Sequence, residues 1–305
     1  MTLIRKKAEL DIPQNIKAMV YGQVGAGKTT LALSAPKPLL LDFDGGIHRV
    51  NFGHFGDNIV QIRSWSEAQQ LFSEDLSEFE TIVIDTIGKM IEFITEVAEN
   101  KRIGGWKKWD YINDEFKSFV RKIHGIGKHV IFIAHRDTRS DGDETVFVPA
   151  LREKNYTAIV TELDLLGYLD VKGTKRTITF NPTSKNDGKN TCNLPELIDI
   201  PIVVGSKREA LENNFFTKKI IEPYISELKN RAEYQRKYRE VCTEIGDAIA
   251  LITDELSANE FSEIVNKFEH VGNSLAIARN LFSGKIKELG LTFNKAEKRY
   301  EKSAA

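Results

Sequence analysis

Cysteine is scarce in this chain. Its 305 residues include two, Cys192 and Cys242, far apart in sequence. That spacing suits neither a disulfide scaffold nor a zinc ribbon, and it reads as two reduced thiols. Charge of one sign is also missing: Lys plus Arg total 43 against 44 for Asp plus Glu, a formal charge of -1. No global positive field therefore draws in phosphate, and any nucleic-acid surface has to be local. No apolar run approaches the roughly 18 residues of a membrane span. The charged opening MTLIRKKAELDIP lacks a signal-peptide core. These absences predict a soluble, cytoplasmic chain with no membrane partner. Internal repeats and low-complexity tracts are absent as well. What is present, 41% apolar and 29% charged residues, suffices for a real core and argues against disorder.

From Ile16 to about Pro182, short β-rich runs alternate with helical patterns. The runs are KAMVYG (17–22), PLLLDFD (38–44), NIVQIR (58–63), TIVIDT (81–86), HVIFIAH (129–135), LDLLGYLDV (163–171) and RTITFNP (176–182). Several are apolar at consecutive positions, as at Leu39–Leu41, Ile82–Ile84 and Val130–Ile133. A strand covered by helices on both faces needs that pattern. Helical stretches at 28–34, 66–72, 87–100 and 109–125 fill the gaps, which predicts an α/β fold with a mostly parallel sheet. Lys172-Gly173-Thr174-Lys175 suits an antiparallel hairpin at the sheet edge. Loops are expected at 102–107, 136–146 and 183–193.

Beyond about Gly205 the texture changes. Residues 206–305 hold one proline, Pro223, and apolar residues recur at helical spacing, as at Ile245, Ile249 and Ile252, then Phe261, Ile264, Val265 and Phe268. Ser257, with Glu260 as a capping box, and Asn273 are expected helix starts; Gly272 and Gly290 are expected stops. The predicted organisation is an N-terminal segment 1–15, an α/β core 16–204 and an all-helical extension 205–305.

The strongest motif is Gly22-Gln23-Val24-Gly25-Ala26-Gly27-Lys28-Thr29, a full G-x-x-x-x-G-K-[ST] between a strand and a helix. Its glycines let successive backbone N–H groups turn inward on a phosphate. Lys28 would reach the terminal phosphate oxygens of ATP, the Thr29 hydroxyl would ligate Mg²⁺, and Thr30 completes the junction. Asp85 closes the apolar run Thr81–Ile84, where a carboxylate can hold Mg²⁺ as a Walker B acid does. It would also cap the helix that follows. Two further groups suit water and the γ-phosphate. Asp44 precedes Gly45-Gly46, and the reading between catalysis and a turn carboxylate is open, with Asp42 as its competitor in a metal-shell or structural role. His135 closes the apolar run Val130–Ala134.

In order, GQVGAGKTT, LLLDFDGG, TIVIDT, FIAH and an R-x-x-x-F-x-P run leading to Lys-Asn and then Leu-Pro resemble the RecA-type branch of P-loop ATPases. More narrowly, the chain is similar to the phage-encoded, core-only RecA-like single-strand annealing recombinases, across about Ile16 to Pro201. The resemblance implies a RecA-like P-loop core, ATP and Mg²⁺ as ligands, and a phage or prophage protein acting in a bacterial cytoplasm. It places Asp44 where the family has a water-activating acid, normally the longer Glu, and His135 at the γ-phosphate sensor. It also implies head-to-tail assembly into a ring or filament, with a basic residue reaching the next subunit's nucleotide. Spacing to Leu194-Pro195 favours Lys189 for that contact, with Lys185 the alternative; Thr191 stands where a further basic residue is expected.

Single-stranded DNA is the implied partner, held by segments following the Walker B strand. Arg136, Arg139, Arg152 and Lys154 would meet phosphates and Tyr156 would stack on a base, although Asp137, Asp141, Asp143 and Glu144 nearly cancel their charge. A second cluster, Lys101, Arg102, Trp106, Lys107, Lys108 and Trp109, reads equally as a stacking surface or as a loop-to-helix junction. In the extension, Lys229, Arg231, Arg236, Lys237 and Arg239 alternate with Glu227, Glu233 and Glu240 near Tyr234 and Tyr238, the pattern of a solvated helix. That extension could serve self-assembly or dock a single-strand DNA-binding protein. The reading is an ATPase that binds single strands and promotes annealing. The alternative is a nucleotide-gated loader or scaffold with incidental hydrolysis. A small-molecule kinase fits less well, for want of an arginine-rich lid.

Overall fold

The computed structural model describes residues 14–54, 58–142 and 144–302. Most of the expected segment 1–15, together with Asp143 and the side chain of Asp141, lies outside them. The described residues form two compact units, one closing at Glu227 and the other opening at Leu228.

The first unit is built on strands β1 (Lys17–Gly22), β2 (Pro38–Asp42), β3 (Ile59–Gln61), β4 (Thr81–Asp85), β5 (His129–Asp141), β6 (Glu144–Pro149), β7 (Leu165–Lys172), β8 (Lys175–Thr179), β9 (Lys189–Asn190) and β10 (Ile198–Ile200). The main path runs β10-β8-β7-β1-β5-β4-β2-β3. Strands β7, β1, β5, β4, β2 and β3 pair in parallel, whereas β8 and β10 turn back antiparallel at one edge. All of Thr81–Asp85 and Val130–Ala134 is buried, as strands covered on both faces require. The covering helices are α1 (Lys28–Ala32), α2 (Trp65–Gln70), α3 (Ile87–Asn100), α4 (Gly105–Gly125) and α5 (Glu153–Val160). Helix α3 buries Ile87, Met90, Ile94 and Ala98, and α4 buries Ile112, Phe116, Phe119 and Ile123. Both sets fall on one stripe.

Three expectations need revision here. The stretch 136–146 is not a loop: β5 runs on to Asp141 and pairs with β6 from Arg136↔Pro149 to Asp141↔Glu144. Helix α1 stops at Ala32, because Ser34 Oγ takes the Leu31 carbonyl at 2.6 Å and Pro36 disfavours helical backbone before it. The unit also extends past 204. Phe215, Phe216, Ile220 and Ile221 are buried, the Phe216 N–H donates to Ser34 Oγ at 2.8 Å, and Asn213 Nδ2 donates to the Thr30 carbonyl at 2.8 Å.

Helix α6 (Glu222–Ala250) contains the division between the units, and the second unit adds α7 (Glu255–Ile264), α8 (Ser274–Glu288), β11 (Leu291–Asn294) and β12 (Arg299–Lys302). It is not all-helical, since β11 and β12 form a hairpin. Asn259 fixes that hairpin to α7, accepting the Tyr300 N–H at 2.7 Å and donating to its carbonyl at 3.1 Å. The core joins Ile245 and Ile249 to Phe261, Ala278 and Phe282. The expected capping box is displaced by three residues: Asp254 is the cap and Ser257 its reciprocal partner. Gly290 follows α8 with φ 64° as a left-handed terminator. Gly272 lies beyond the end of α7 and just before α8, so it stops no helix. Arg236 pairs with Glu233 and Glu240 one turn away on either side, the solvated pattern expected.

Candidate nucleotide site

Strand β1 delivers the glycine loop beside β7, and the fit is close. A Cβ on Gly22 would lie 2.4 Å from the Leu169 carbonyl oxygen, so no larger residue sits there without moving β7. Gly25 and Gly27 take φ of 74° and 95°, which turns the loop in a way L side chains resist. Lys28 is buried, and its ammonium donates to the carbonyls of Gly22 at 3.1 Å and Gln23 at 2.9 Å. Burial lowers its pKa, against the pull of Asp85 and Asp44. Val24 projects into solvent at the loop tip.

Asp85 meets this loop from the end of β4. The Thr29 hydroxyl donates to Asp85 Oδ2 at 2.6 Å, so residues 56 apart in sequence are in direct contact. Burial pushes the Asp85 carboxyl up to about 6, with the charges of Asp44 and Asp42 acting in the same sense and the Thr29 bond opposing. Its carbonyl accepts the Phe43 N–H at 2.7 Å and the Asp44 N–H at 3.3 Å, tying the ends of β2 and β4 together. Thr86 caps α3 by accepting the Lys89 N–H; the helix-capping role expected of Asp85 falls to its neighbour.

Asp42 and Asp44 differ in burial. Asp42 is 2% exposed, and its carboxylate accepts the N–H groups of Gly46 at 3.1 Å and Ile47 at 3.2 Å. It closes the turn. Asp44 points outward, with Oδ2 lying 3.9 Å from His135 Nε2. His135 stands opposite Gly22 in the β1–β5 register. It does not end its strand, as expected; it marks where β5 leaves the apolar core. Burial and the Lys28 charge lower its pKa, against Asp44. Its Nδ1 is buried without a partner among the described residues.

One neighbour of the loop escaped sequence reasoning. Arg176, from β8, donates its Nε–H to the Ala26 carbonyl at 3.0 Å. A trans peptide points its carbonyl and the following N–H in opposite directions, so drawing the Ala26 oxygen toward Arg176 aims the Gly27 N–H the other way. The run containing Arg176 was visible, but no local pattern joins it to a loop 150 residues earlier.

Lys189 is held within its own chain. It pairs with Leu166, toward the opposite end of β7 from Leu169, and its ammonium takes the carbonyls of Val160 at 3.0 Å and Thr161 at 3.2 Å. It closes the C-terminus of α5, the end of a helix that favours a cation. Lys185, the alternative, lines a cleft of about 700 Å³ with Gln23, Arg136, Tyr168, Lys172 and Lys175.

The expected nucleic-acid residues fall into two groups. Asp187 engages Tyr156 at 2.6 Å and Arg139 at 3.2 Å, so the Tyr156 hydroxyl is anchored. Arg136 binds the Tyr168 hydroxyl at 2.9 Å and lies 4.3 Å from the Phe147 ring centre. Arg152 instead lies 3.8 Å from the Trp109 ring centre, which joins the two clusters read separately in the sequence. Beside it, Trp106 is 84% exposed.

A family model described as an AAA domain matches residues 14–192. The chain belongs to that family. The match begins just before β1 and takes in the glycine loop, Asp44, Asp85 and His135. Among curated proteins, the SPbeta prophage-derived uncharacterized protein YorG of Bacillus subtilis (strain 168) is 26% identical over 175 residues, 50% of each chain. The chain thus spans about half the length of the curated relative it matches. Similar solved structures include the flagellar accessory protein FlaH of Methanocaldococcus jannaschii, with TM-score 0.37, 14% identity, and 63% of this chain and 87% of that one covered. A KaiC-like protein of Pyrococcus horikoshii OT3 gives 0.36, 12%, 61% and 89%, and the RadB recombinase gives 0.34, 19%, 58% and 92%. Within the AAA domain family this chain has a mostly parallel sheet in which β5, carrying His135, separates the glycine-loop strand β1 from the acid strand β4.

The donor set fits Mg²⁺. Thr29 and Asp85 present hard oxygens, and no cluster of three or more His, Cys, Asp or Glu able to hold a metal occurs among the described residues. One carboxylate completed by phosphate oxygens is the usual arrangement for this ion. No helix among the described residues is long and apolar enough to cross a membrane.

Proposed function

We propose that the chain is an ATP- and Mg²⁺-dependent RecA-like ATPase, of phage or prophage origin, that binds single-stranded DNA and promotes annealing. The observation that carries the nucleotide reading is the Thr29–Asp85 contact at the mouth of the glycine loop. It brings the two metal-directed groups of the sequence to one point. Lys28 holds its ammonium inside the same loop on two carbonyls, which a phosphate oxygen would replace. Mg²⁺, when bound by Thr29 and Asp85, supplies charge neutralisation on the phosphates. Asp44 orients and deprotonates the attacking water, and His135, on the strand between, donates to the γ-phosphate.

Exposed Trp106 and the Arg152–Trp109 pair support the strand reading, since bases stack on aromatic faces and cations meet phosphates. The basic groups are few, so affinity depends on repetition along an assembled ring or filament. For a contact across subunits, the exposed Lys185 is better placed than Lys189, whose ammonium is held within its own chain.

Phosphate release measured with and without single strands, at two salt concentrations, tests this reading. Turnover should rise with DNA, and the rise should vanish at high salt. Turnover indifferent to every strand would favour the second reading, a nucleotide-gated scaffold, for which the short Asp44 side chain opposite His135 is the supporting observation.

A further inference from the structure

Asn155, in the first turn of α5, is 2% exposed. Its amide is not among the wholly sealed, unpartnered polar atoms, which among the described residues are His124 Nε2 and His135 Nδ1, and as a carboxamide it carries two donors and an acceptor. Asn155 lines a cleft of about 280 Å³ together with Trp106, Trp109, Asn113, Arg152 and Lys154. A second cleft of about 430 Å³ shares Arg152 and Asn155 and adds Glu92 and Glu96.

The chemistry of these walls is selective. Trp106 offers an exposed flat apolar face, Arg152 covers the neighbouring Trp109 ring 3.8 Å from its centre, and Asn155, which lines the same cleft, carries an adjacent donor and acceptor. An Asn amide pairs in that bidentate manner with adenine. Arg152 and Lys154 face one carboxylate, Glu153, in the smaller cleft, whereas Arg152 alone faces two, Glu92 and Glu96, in the larger one, so an attached phosphate is directed to the Lys154 side.

We propose that this cleft takes a single nucleobase, adenine by preference, turned out of a bound strand. Asn155 reads its edge, Trp106 stacks on its face and Lys154 meets its phosphate. The assignment rests on the strand-binding reading above and adds to it a preference for base identity. The same chemistry would hold a free adenine mononucleotide.

Anisotropy titrations of the full chain, with a non-hydrolysable ATP analogue present, separate these cases. The labelled ligands are oligo(dA), oligo(dT) and an abasic strand of equal length. Oligo(dA) should bind at least about tenfold more tightly than the abasic strand, in line with the stacking of one base. Trp106→Ala should bring oligo(dA) down toward the abasic value; at so exposed a position it leaves the fold intact even if a buried change at Asn155 does not. Asn155→Leu should abolish the preference for oligo(dA) over oligo(dT) while leaving the salt dependence unchanged. Equal affinity for all three strands overturns the base pocket and leaves strand binding standing. If no strand binds, the strand reading falls, and titration with dAMP followed by tryptophan quenching decides the pocket. Quenching that Asn155→Leu abolishes retains it for a free nucleotide, and absence of quenching ends it.

Discussion

At the residue scale, the glycine loop turns on a few charged contacts. Lys28→Ala should weaken ATP binding by roughly 10- to 100-fold, the value of a charged hydrogen bond, with the fold retained in circular dichroism; calorimetric titration measures it. Asp44→Asn should lower kcat by about 10²–10⁴, the range for a general base, while KM stays within about twofold. Equal losses in both would make Asp44 a turn carboxylate. Arg176→Ala releases the Ala26 carbonyl and should weaken ATP about fivefold, the equivalent of a hydrogen bond near 1 kcal/mol. His129 supplies a pH effect. Its Nδ1 accepts the Ile16 N–H at 3.1 Å, and burial lowers its pKa from the ordinary 6.5. The unfolded chain therefore takes up the proton first as pH falls below about 6.5, and stability declines in that direction. Melting temperature should drop between pH 7 and pH 5. His129→Asn, whose oxygen can replace Nδ1, should flatten part of that slope; His124 and His135, which burial shifts the same way, add to the decline, and Asp85, raised to about 6, opposes it because there the folded chain takes up the proton.

At the scale of elements, the loop is held in place by strands rather than by its own helix. Helix α1 has five residues, too few to supply much dipole, so register with β5 and β7 positions the phosphate cradle. Gly22→Ala tests this directly. Its Cβ would meet the backbone of Leu169, and displacing a strand should cost about 1–3 kcal/mol, seen as a lowered melting temperature even without nucleotide. In the second unit, Asp254→Ala removes the cap of α7 and should lower that unit's melting temperature. The expected box at Ser257 and Glu260 was a reasonable pattern match. Asp254 prevailed because its carboxylate reaches the Ser257 N–H at 2.9 Å while Ser257 Oγ accepts the Asp254 N–H at 3.1 Å.

For the whole molecule, the position of the division matters most. A chain ending at 204 would lose Phe215 and Phe216, each buried and worth about 1.5–3 kcal/mol by apolar burial alone. A chain ending at Glu227 retains both. The shorter truncation should therefore melt well below the longer one, and only the longer should bind ATP with native affinity at 37 °C. The change of texture near Gly205 predicts a boundary because regular strand–helix alternation stops there. Irregular chain can still pack on a core, and nothing in periodicity distinguishes a linker from a segment that docks.

Local chemistry determined the α/β class, the parallel sheet, the edge hairpin, the glycine loop and the carboxylate at the end of β4. Each of these is encoded within a window of some ten residues, as an apolar run, a glycine spacing or a turn. Tertiary structure alone decided which acid closes a turn and which faces His135, that Arg176 grips the loop, that Lys189 serves α5, and that Arg152 and Trp109 share one surface. Those outcomes depend on strand order and register, which bring together side chains separated by tens of residues, and no pattern along the chain records which distant carbonyl or ring a side chain will meet.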